Sequence, residues 1–171
     1  MKANVSVAKP MMLSLSDTRS WGIVSLFLVG SIVLPQVCHL IPGGGLAWLP
    51  IYFFTLIISY IYGWKAGIAL AVTAPIVNFA LFGMPDASSL PIIEIKGILL
   101  AVAASYVAIR ARKVSFLGIL GAVVFYQGIG SSIESLVDGS LYAGFQDFKI
   151  GYPGMLLQAI GGYFVIRLLT K

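Results

Sequence analysis

The sequence is poor in charged residues, in cysteine and in histidine, and each shortage excludes a class of protein. Only 10% of the 171 residues are charged, against about 25% in a soluble domain. With Cys38 and His39 as the only residues of their kinds, neither an internal disulfide nor a two-histidine metal motif can form. No Walker-type G-x-x-x-x-G-K-[ST] pattern occurs, so the chain has no recognisable site for ATP.

What the sequence does contain is long apolar segments. Hydrophobic residues make up 59% of the chain and the mean hydropathy is +0.98, values typical of an integral membrane protein. The length allows about six spans of about 20 residues joined by short loops, with no room for a separate soluble domain. We therefore predict an all-α membrane protein with six transmembrane helices.

The predicted organisation is a polar tail, residues 1–20, followed by a single six-helix domain, residues 21–171. The tail has neither a short apolar core nor an A-x-A-like cleavage site, so we expect no cleaved signal peptide. The predicted spans cover residues 21–41, 46–62, 66–82, 90–113, 115–134 and 153–169. The more polar segment 135–152 is counted as a loop.

Cations are unevenly distributed between two sets of loops, which predicts the orientation. The tail, the turns 62–66 and 110–114 and the C-terminus hold Lys2, Lys9, Arg19, Lys65, Arg110, Arg112, Lys113, Arg167 and Lys171. The other three loops hold Lys149 as their only cation. Because positive residues favour cytoplasmic loops, both termini are predicted to be cytoplasmic. The cations behind the net charge of +5 then set the orientation in the membrane and contact anionic lipid, so this charge does not suggest a nucleic-acid partner.

Polar residues inside the predicted spans fall in the halves that lie toward the outside. They are Gln36, Asn78, Glu94, Lys96, Gln127, Glu134 and Gln158. Each needs a partner because hydrocarbon offers no hydrogen bonds. This distribution predicts one shared cavity that opens outward. The candidate substrate-binding residues are Cys38, His39, Trp48, Asn78, Glu94, Lys96, Gln127, Glu134 and Gln158.

Glu94 and Lys96 lie within the first two turns of their predicted span, just inside the bilayer, where charges are costly and are usually kept for a function. Residues two apart point to nearly opposite sides of a helix, so these two do not pair with each other. A binding role is predicted for at least one of them. The alternatives are that Lys96 extends outward to the membrane surface and that Glu94 pairs with a cation elsewhere.

Other polar candidates also have a purely structural interpretation. Intramembrane amides often only bond one helix to another. One stripe of a helix contains Gln127, Ser131, Glu134 and Asp138. Either this stripe lines the cavity, or Glu134 and Asp138 are simply solvated at the end of the helix. Cys38 and His39 can ligate a metal, including the cobalt of a cofactor. Two adjacent residues do not make a full metal site, so we predict no metal and no cofactor.

Three local runs resemble a known family. The runs Trp64–Gly67, Pro75–Asn78 and Leu81–Pro85 are similar to the span-three region of the substrate-binding S components of energy-coupling factor (ECF) vitamin transporters. As an architecture of six short helices, the resemblance covers roughly residues 21–169. Many members carry an Ala-x-x-x-Ala contact motif in the first helix, and this chain does not.

The resemblance implies a subunit without enzymatic activity in the bacterial cytoplasmic membrane. It would bind a small vitamin-like molecule with high affinity, beneath the loops that join spans one to two, three to four and five to six. A membrane coupling subunit and two ATPases, supplied by other chains, would complete the transporter. Both signs of charge among the polar residues suit a zwitterionic or polar ligand, with cobalamin a minor option that rests on Cys38 and His39.

Two other functions are open from the sequence. One is a structural membrane protein that scaffolds an assembly through faces of small residues such as Gly67, Ala71, Gly97 and Ala101. It predicts a filled interior whose polar groups satisfy one another. The other is a membrane enzyme acting on a lipid, for which the sequence offers no recognisable base or metal site.

Overall fold

A computed structural model describes residues 16–111 and 113–171, and within these ranges the secondary structure is entirely helical. The α-helices are α1 (Thr18–His39), α2 (Gly44–Trp48), α3 (Pro50–Tyr62), α4 (Trp64–Phe82), α5 (Leu90–Arg110), α6 (Phe116–Val137), α7 (Leu141–Leu156) and α8 (Gly162–Leu169). The predicted all-α fold is confirmed. Most of the predicted tail, with Lys2 and Lys9, lies outside the described residues, as does Arg112.

Five helical segments are long and apolar enough to cross a membrane. They are Thr18–His39, Gly44–Tyr62, Trp64–Phe82, Ala87–Arg110 and Phe116–Val137. Each agrees with one of the first five predicted spans to within about three residues at either end. Several long apolar helices of this kind indicate a multi-pass membrane protein.

The last part of the chain differs from the prediction. The segment 135–152 was predicted as a loop, yet residues 141–152 belong to α7. A π-helical turn, Leu157–Gly161, then joins α7 directly to α8. The three pieces are 16, 5 and 8 residues long, so the predicted sixth span is not among the apolar segments of membrane-crossing length. The polar residues that suggested a loop are instead held on a helix.

The centre of the bundle is α3, which contacts α1, α4, α5 and α8. Its sequence is apolar on nearly every side, so it has no face that requires water. Leu56 and Ile58 are completely buried, and Ile57 is 1% exposed. Tyr60 extends from the end of α3, and its hydroxyl accepts a hydrogen bond from the Ser115 N–H at 3.4 Å.

Small residues bring α4 and α5 close together. A Cβ added to Gly97 would lie 2.9 Å from the Ala71 Cβ, and one added to Gly67 would overlap the Ser59 hydroxyl and lie 3.0 Å from the Ala101 Cβ. These small-residue faces, which the sequence alone could equally assign to a partner, therefore pack against helices of the same chain.

The two ends of the bundle differ. At one end lie the connections between α1 and α3, between α4 and α5, and between α6 and α7, and we call it the loop end. At the other end are the tight turn at Gly63, whose φ of +91° favours glycine, and the connection between α5 and α6. The described cations Lys65, Arg110 and Lys113 lie in these two connections or in the helix ends next to them, so we call it the cationic end.

The packing of α4 against α5 gives a first prediction. Gly97→Ala should lower the free energy of unfolding by about 1–3 kcal/mol, because the new methyl group overpacks against Ala71. Thermal unfolding of the detergent-solubilised protein measures the effect. Gly121→Ala on α6 is the control, since an added Cβ meets nothing within 4 Å there. Equal melting temperatures for the two variants would contradict the close approach.

Candidate functional site: a charged cavity at the loop end

Lys96 on α5 forms two ion pairs with carboxylates from two other helices. Its Nζ lies 2.5 Å from Glu134 Oε2 on α6 and 2.9 Å from Asp147 Oδ2 on α7. The Lys96 side chain is 5% exposed, and those of Glu134 and Asp147 are 23% and 22% exposed. A buried ammonium group without such partners would be strongly unfavourable in a membrane. The three residues are called the ion cluster below.

Asp147 is held by more than the ammonium group. Its Oδ2 also accepts hydrogen bonds from Gln127 Nε2 at 2.6 Å and from Ser131 Oγ at 2.8 Å. Gln127, Ser131 and Glu134 lie on one stripe of α6, as their spacing predicts; Glu134 belongs to the ion cluster, and the other two donate hydrogen bonds to Asp147. Asp138, the last residue of that stripe, is exposed beyond the helix end.

Gly130 makes room for the Lys96 side chain beside α6. A Cβ on Gly130 would overlap Cγ of Lys96 and lie 2.8 Å from its Cε. The methylene chain of Lys96 therefore passes directly over the backbone of α6 on its way to the carboxylates. Two residues earlier, a Cβ on Gly128 would meet nothing within 4 Å.

A part-open cavity of about 350 Å³ lies next to the ion cluster at the loop end. This volume is near the lower limit of the roughly 300–1,000 Å³ found for ligand pockets. Lys96, Glu134 and Asp147 form part of its wall. The remaining wall contains the polar residues Gln36, His39, Asn78, Asp86 and Ser89 together with apolar residues such as Leu49, Ile51, Tyr52, Ile92 and Ile93.

The structure brings six of the nine predicted binding residues to the cavity or directly behind it. His39, Asn78, Lys96 and Glu134 line the cavity. Gln127 is completely buried behind the wall, where it holds Asp147. Gln158, also completely buried, lies in the π-helical turn, and its Nε2 is 3.5 Å from the Leu49 carbonyl oxygen behind the wall.

The other three predicted residues do not line the cavity. Glu94 is half-buried on α5 and has no ion pair with any described residue. Cys38 is a half-buried free thiol, and Trp48 is 37% exposed. The selection of Lys96 over Glu94 follows from helix geometry, which turns residues two apart to opposite sides.

Asn78 has a structural role in addition to its place on the cavity wall. Its Nδ2 donates to the Ser31 carbonyl on α1 at 3.0 Å and to the Ala74 carbonyl on its own helix at 2.9 Å. Gln36 Nε2 lies 3.5 Å from Asn78 Oδ1. These bonds link α1 to α4, which is one of the interpretations left open for the intramembrane amides.

Sequence reasoning missed Asp147 and Asp86 as wall residues. Asp147 was assigned to a loop because its segment is more polar than the spans around it. Phe145 and Phe148 flank this carboxylate in sequence. A charge among large apolar side chains is the signal that could have placed it inside the bundle.

Metal ligands do not cluster within residues 16–111 and 113–171, where no group of three His, Cys, Asp or Glu side chains could hold an ion.

Fold and site together define a multi-pass helical membrane protein with a charged cavity at one end of the bundle. Comparisons with known proteins name no family for it: no family model matches the chain, and neither a curated protein nor a solved structure does.

The ion cluster gives a second prediction. Lys96→Met should lower the free energy of unfolding by about 2–4 kcal/mol, because two neighbouring carboxylates lose their counter-charge. Both carboxylates are partly exposed to solvent, so the loss should be smaller than for a fully buried ion pair. Chemical unfolding in detergent measures it. Adding Glu134→Gln should recover at least half of the loss, because one uncompensated charge is removed. A stable Lys96→Met protein, or a double variant no better than the single one, would contradict this account.

Gly130 gives a third prediction. Gly130→Ala should displace the Lys96 side chain and lower the unfolding temperature by several degrees, because the ammonium group can no longer reach both carboxylates. Gly128→Ala, on the same helix, should leave the unfolding temperature within about one degree of the parent value. Similar effects of the two substitutions would show that the ion cluster does not depend on this close approach.

Proposed function

We propose that the protein binds a compact, polar, vitamin-like molecule in the cavity and serves as the substrate-specificity subunit of an ECF-type uptake transporter. The observation that carries the proposal is the part-open cavity of about 350 Å³ with a buried ion cluster in its wall. Pockets of this kind combine a mostly apolar lining with a few convergent polar groups.

The cavity supports binding over scaffolding. A protein that only joins helices gains stability from a filled interior, since interiors are normally close-packed. Here several polar side chains border a common space. Because charged groups in a membrane are costly, such an arrangement is usually kept for a function. The small residues Gly67 and Gly97 are also occupied by contacts within the bundle, so these faces are not free to dock an assembly partner.

The size and lining of the cavity favour a small ligand. Its volume is at the lower limit for ligand pockets, whereas cobalamin is among the largest vitamins. His39 lines the cavity but Cys38 does not, so the two residues on which the cobalamin option rested are not presented to a ligand together. The proposal therefore drops cobalamin and keeps a compact polar or zwitterionic molecule.

The proposal includes an orientation and partners. The loop end faces outward and the cationic end faces the cytoplasm, in keeping with the positive-inside rule. In this proposal the continuous helical run 141–169 serves as the sixth crossing, and both termini lie in the cytoplasm of a bacterium. Since the chain has no ATP-binding motif, a coupling subunit and an ATPase pair supply the energy for uptake. The protein itself catalyses no reaction.

Binding to the purified protein in lipid nanodiscs tests the proposal. At least one compound of a water-soluble vitamin panel should bind, as measured by equilibrium dialysis. Ile92→Trp should weaken that binding at least about 10-fold, because the indole ring occupies part of the cavity. Val102→Trp is the matched control, since Val102 lies on the same helix with 48% exposure and does not line the cavity.

Two results would reject the proposal. One is a folded protein that binds no compound of the panel. The other is binding that Ile92→Trp and Val102→Trp weaken equally, since the ligand would then lie outside the cavity.

A further inference from the structure

The charges on the cavity wall do not balance. The wall contains one cation, Lys96, and three carboxylates, Asp86, Glu134 and Asp147, which gives a formal charge of −2 with His39 neutral. Charges interact more strongly in low-dielectric surroundings than in water. The excess negative charge on the wall therefore interacts with any molecule bound in the cavity.

Part of each carboxylate in the ion cluster is not used by the protein. Asp147 Oδ2 is saturated by bonds from Lys96, Gln127 and Ser131, and Glu134 Oε2 is engaged by Lys96. The second oxygens, Asp147 Oδ1 and Glu134 Oε1, accept no hydrogen bond from the described part of the chain. Both side chains remain about a fifth exposed and line the cavity. Ionised carboxylates are strong hydrogen-bond acceptors, and both residues line the space that a ligand would occupy.

Asp86 adds a third carboxylate from the connection between α4 and α5. It precedes the short turn Ala87–Ser89, but its side chain does not cap that turn. Neither ion pair formed within residues 16–111 and 113–171 involves Asp86. Asp86 therefore has no direct ion-pair partner among the described cations, and it borders the same cavity as the ion cluster.

We infer that the ligand is a cation, a small molecule with an ammonium group or a positively charged ring nitrogen, which binds against the free oxygens of Glu134 and Asp147. The inference rests on the proposed function and narrows its ligand class. A cation neutralises part of the excess negative charge. It also offers these oxygens either an N–H group that donates a hydrogen bond or a positive charge that attracts them. An anion would increase the excess, and a neutral molecule would leave it unchanged.

A charge-graded set of probes tests the inference by equilibrium dialysis against the protein in nanodiscs. The cations are thiamine, pyridoxamine and choline; the neutral molecules are pyridoxine, nicotinamide and riboflavin; the anions are biotin, pantothenate and 4-pyridoxate. Pyridoxamine, pyridoxine and 4-pyridoxate share one ring and differ only in the group at a single position. The tightest binder should be a cation, and pyridoxamine should bind at least about 10-fold more tightly than pyridoxine and 4-pyridoxate.

Three substitutions locate the effect. Glu134→Gln and Asp86→Asn should each weaken binding of the tightest cation at least about 5- to 10-fold, because each removes one negative charge from the wall. Asp86 forms no ion pair with Lys96, so its variant remains informative if Glu134→Gln disturbs the fold. Glu94→Gln is the control: it makes the same change of charge on α5, at a residue that does not line the cavity, and should leave affinity unchanged.

The outcomes separate the two claims. If a neutral or anionic probe binds most tightly, the inferred charge is wrong while the proposed binding function stands. If a cation binds but Glu94→Gln weakens it as much as Glu134→Gln and Asp86→Asn do, the assignment to these carboxylates is wrong. If no probe binds at about 1 mM to a protein that still unfolds cooperatively, the proposed function is rejected and the inference with it.

Discussion

The interaction on which this structure depends is the sharing of one ammonium group, on Lys96, between the carboxylates of Glu134 and Asp147. Each of these groups would be unfavourable alone in an apolar bundle, and together they compensate one another. The interaction fixes α5, α6 and α7 in mutual position at the loop end. It also requires Gly130, since any larger side chain there would meet the stem of Lys96.

The two ends of the bundle are built by different kinds of interaction. Around α3, large aliphatic side chains such as Leu56 and Leu100 are completely buried, and the interior is packed by apolar contacts. Toward the loop end, hydrogen bonds and ion pairs are added to the apolar contacts, and a cavity lies among the helices that they join. Directional bonds can support such a space because they fix geometry without requiring it to be filled by side chains. The apolar part thus supplies rigidity, while the polar part shapes the site.

Asp147 shows how local polarity can mislead a prediction. Its neighbourhood contains enough polar residues to resemble a loop, and hydropathy alone gives no reason to place a carboxylate inside a bundle. Its inclusion in α7 depends on partners far away in the sequence, because Gln127, Ser131 and Lys96 satisfy its charge. Without them the same segment would be expected to remain in water. Tertiary contacts therefore account for the position of this carboxylate inside the bundle.

The sequence by itself determined the membrane class, the all-helical fold and the extents of the first five apolar helices, because hydropathy and helical rise are properties of local segments. It also placed Lys96 and Glu134 at similar depth. Only the tertiary structure decided that these two, 38 residues apart, meet each other and Asp147, while Glu94 stays outside the cavity. The physical reason is rotation: hydropathy fixes where a helix lies along the membrane normal, but packing against neighbouring helices fixes which side faces the interior.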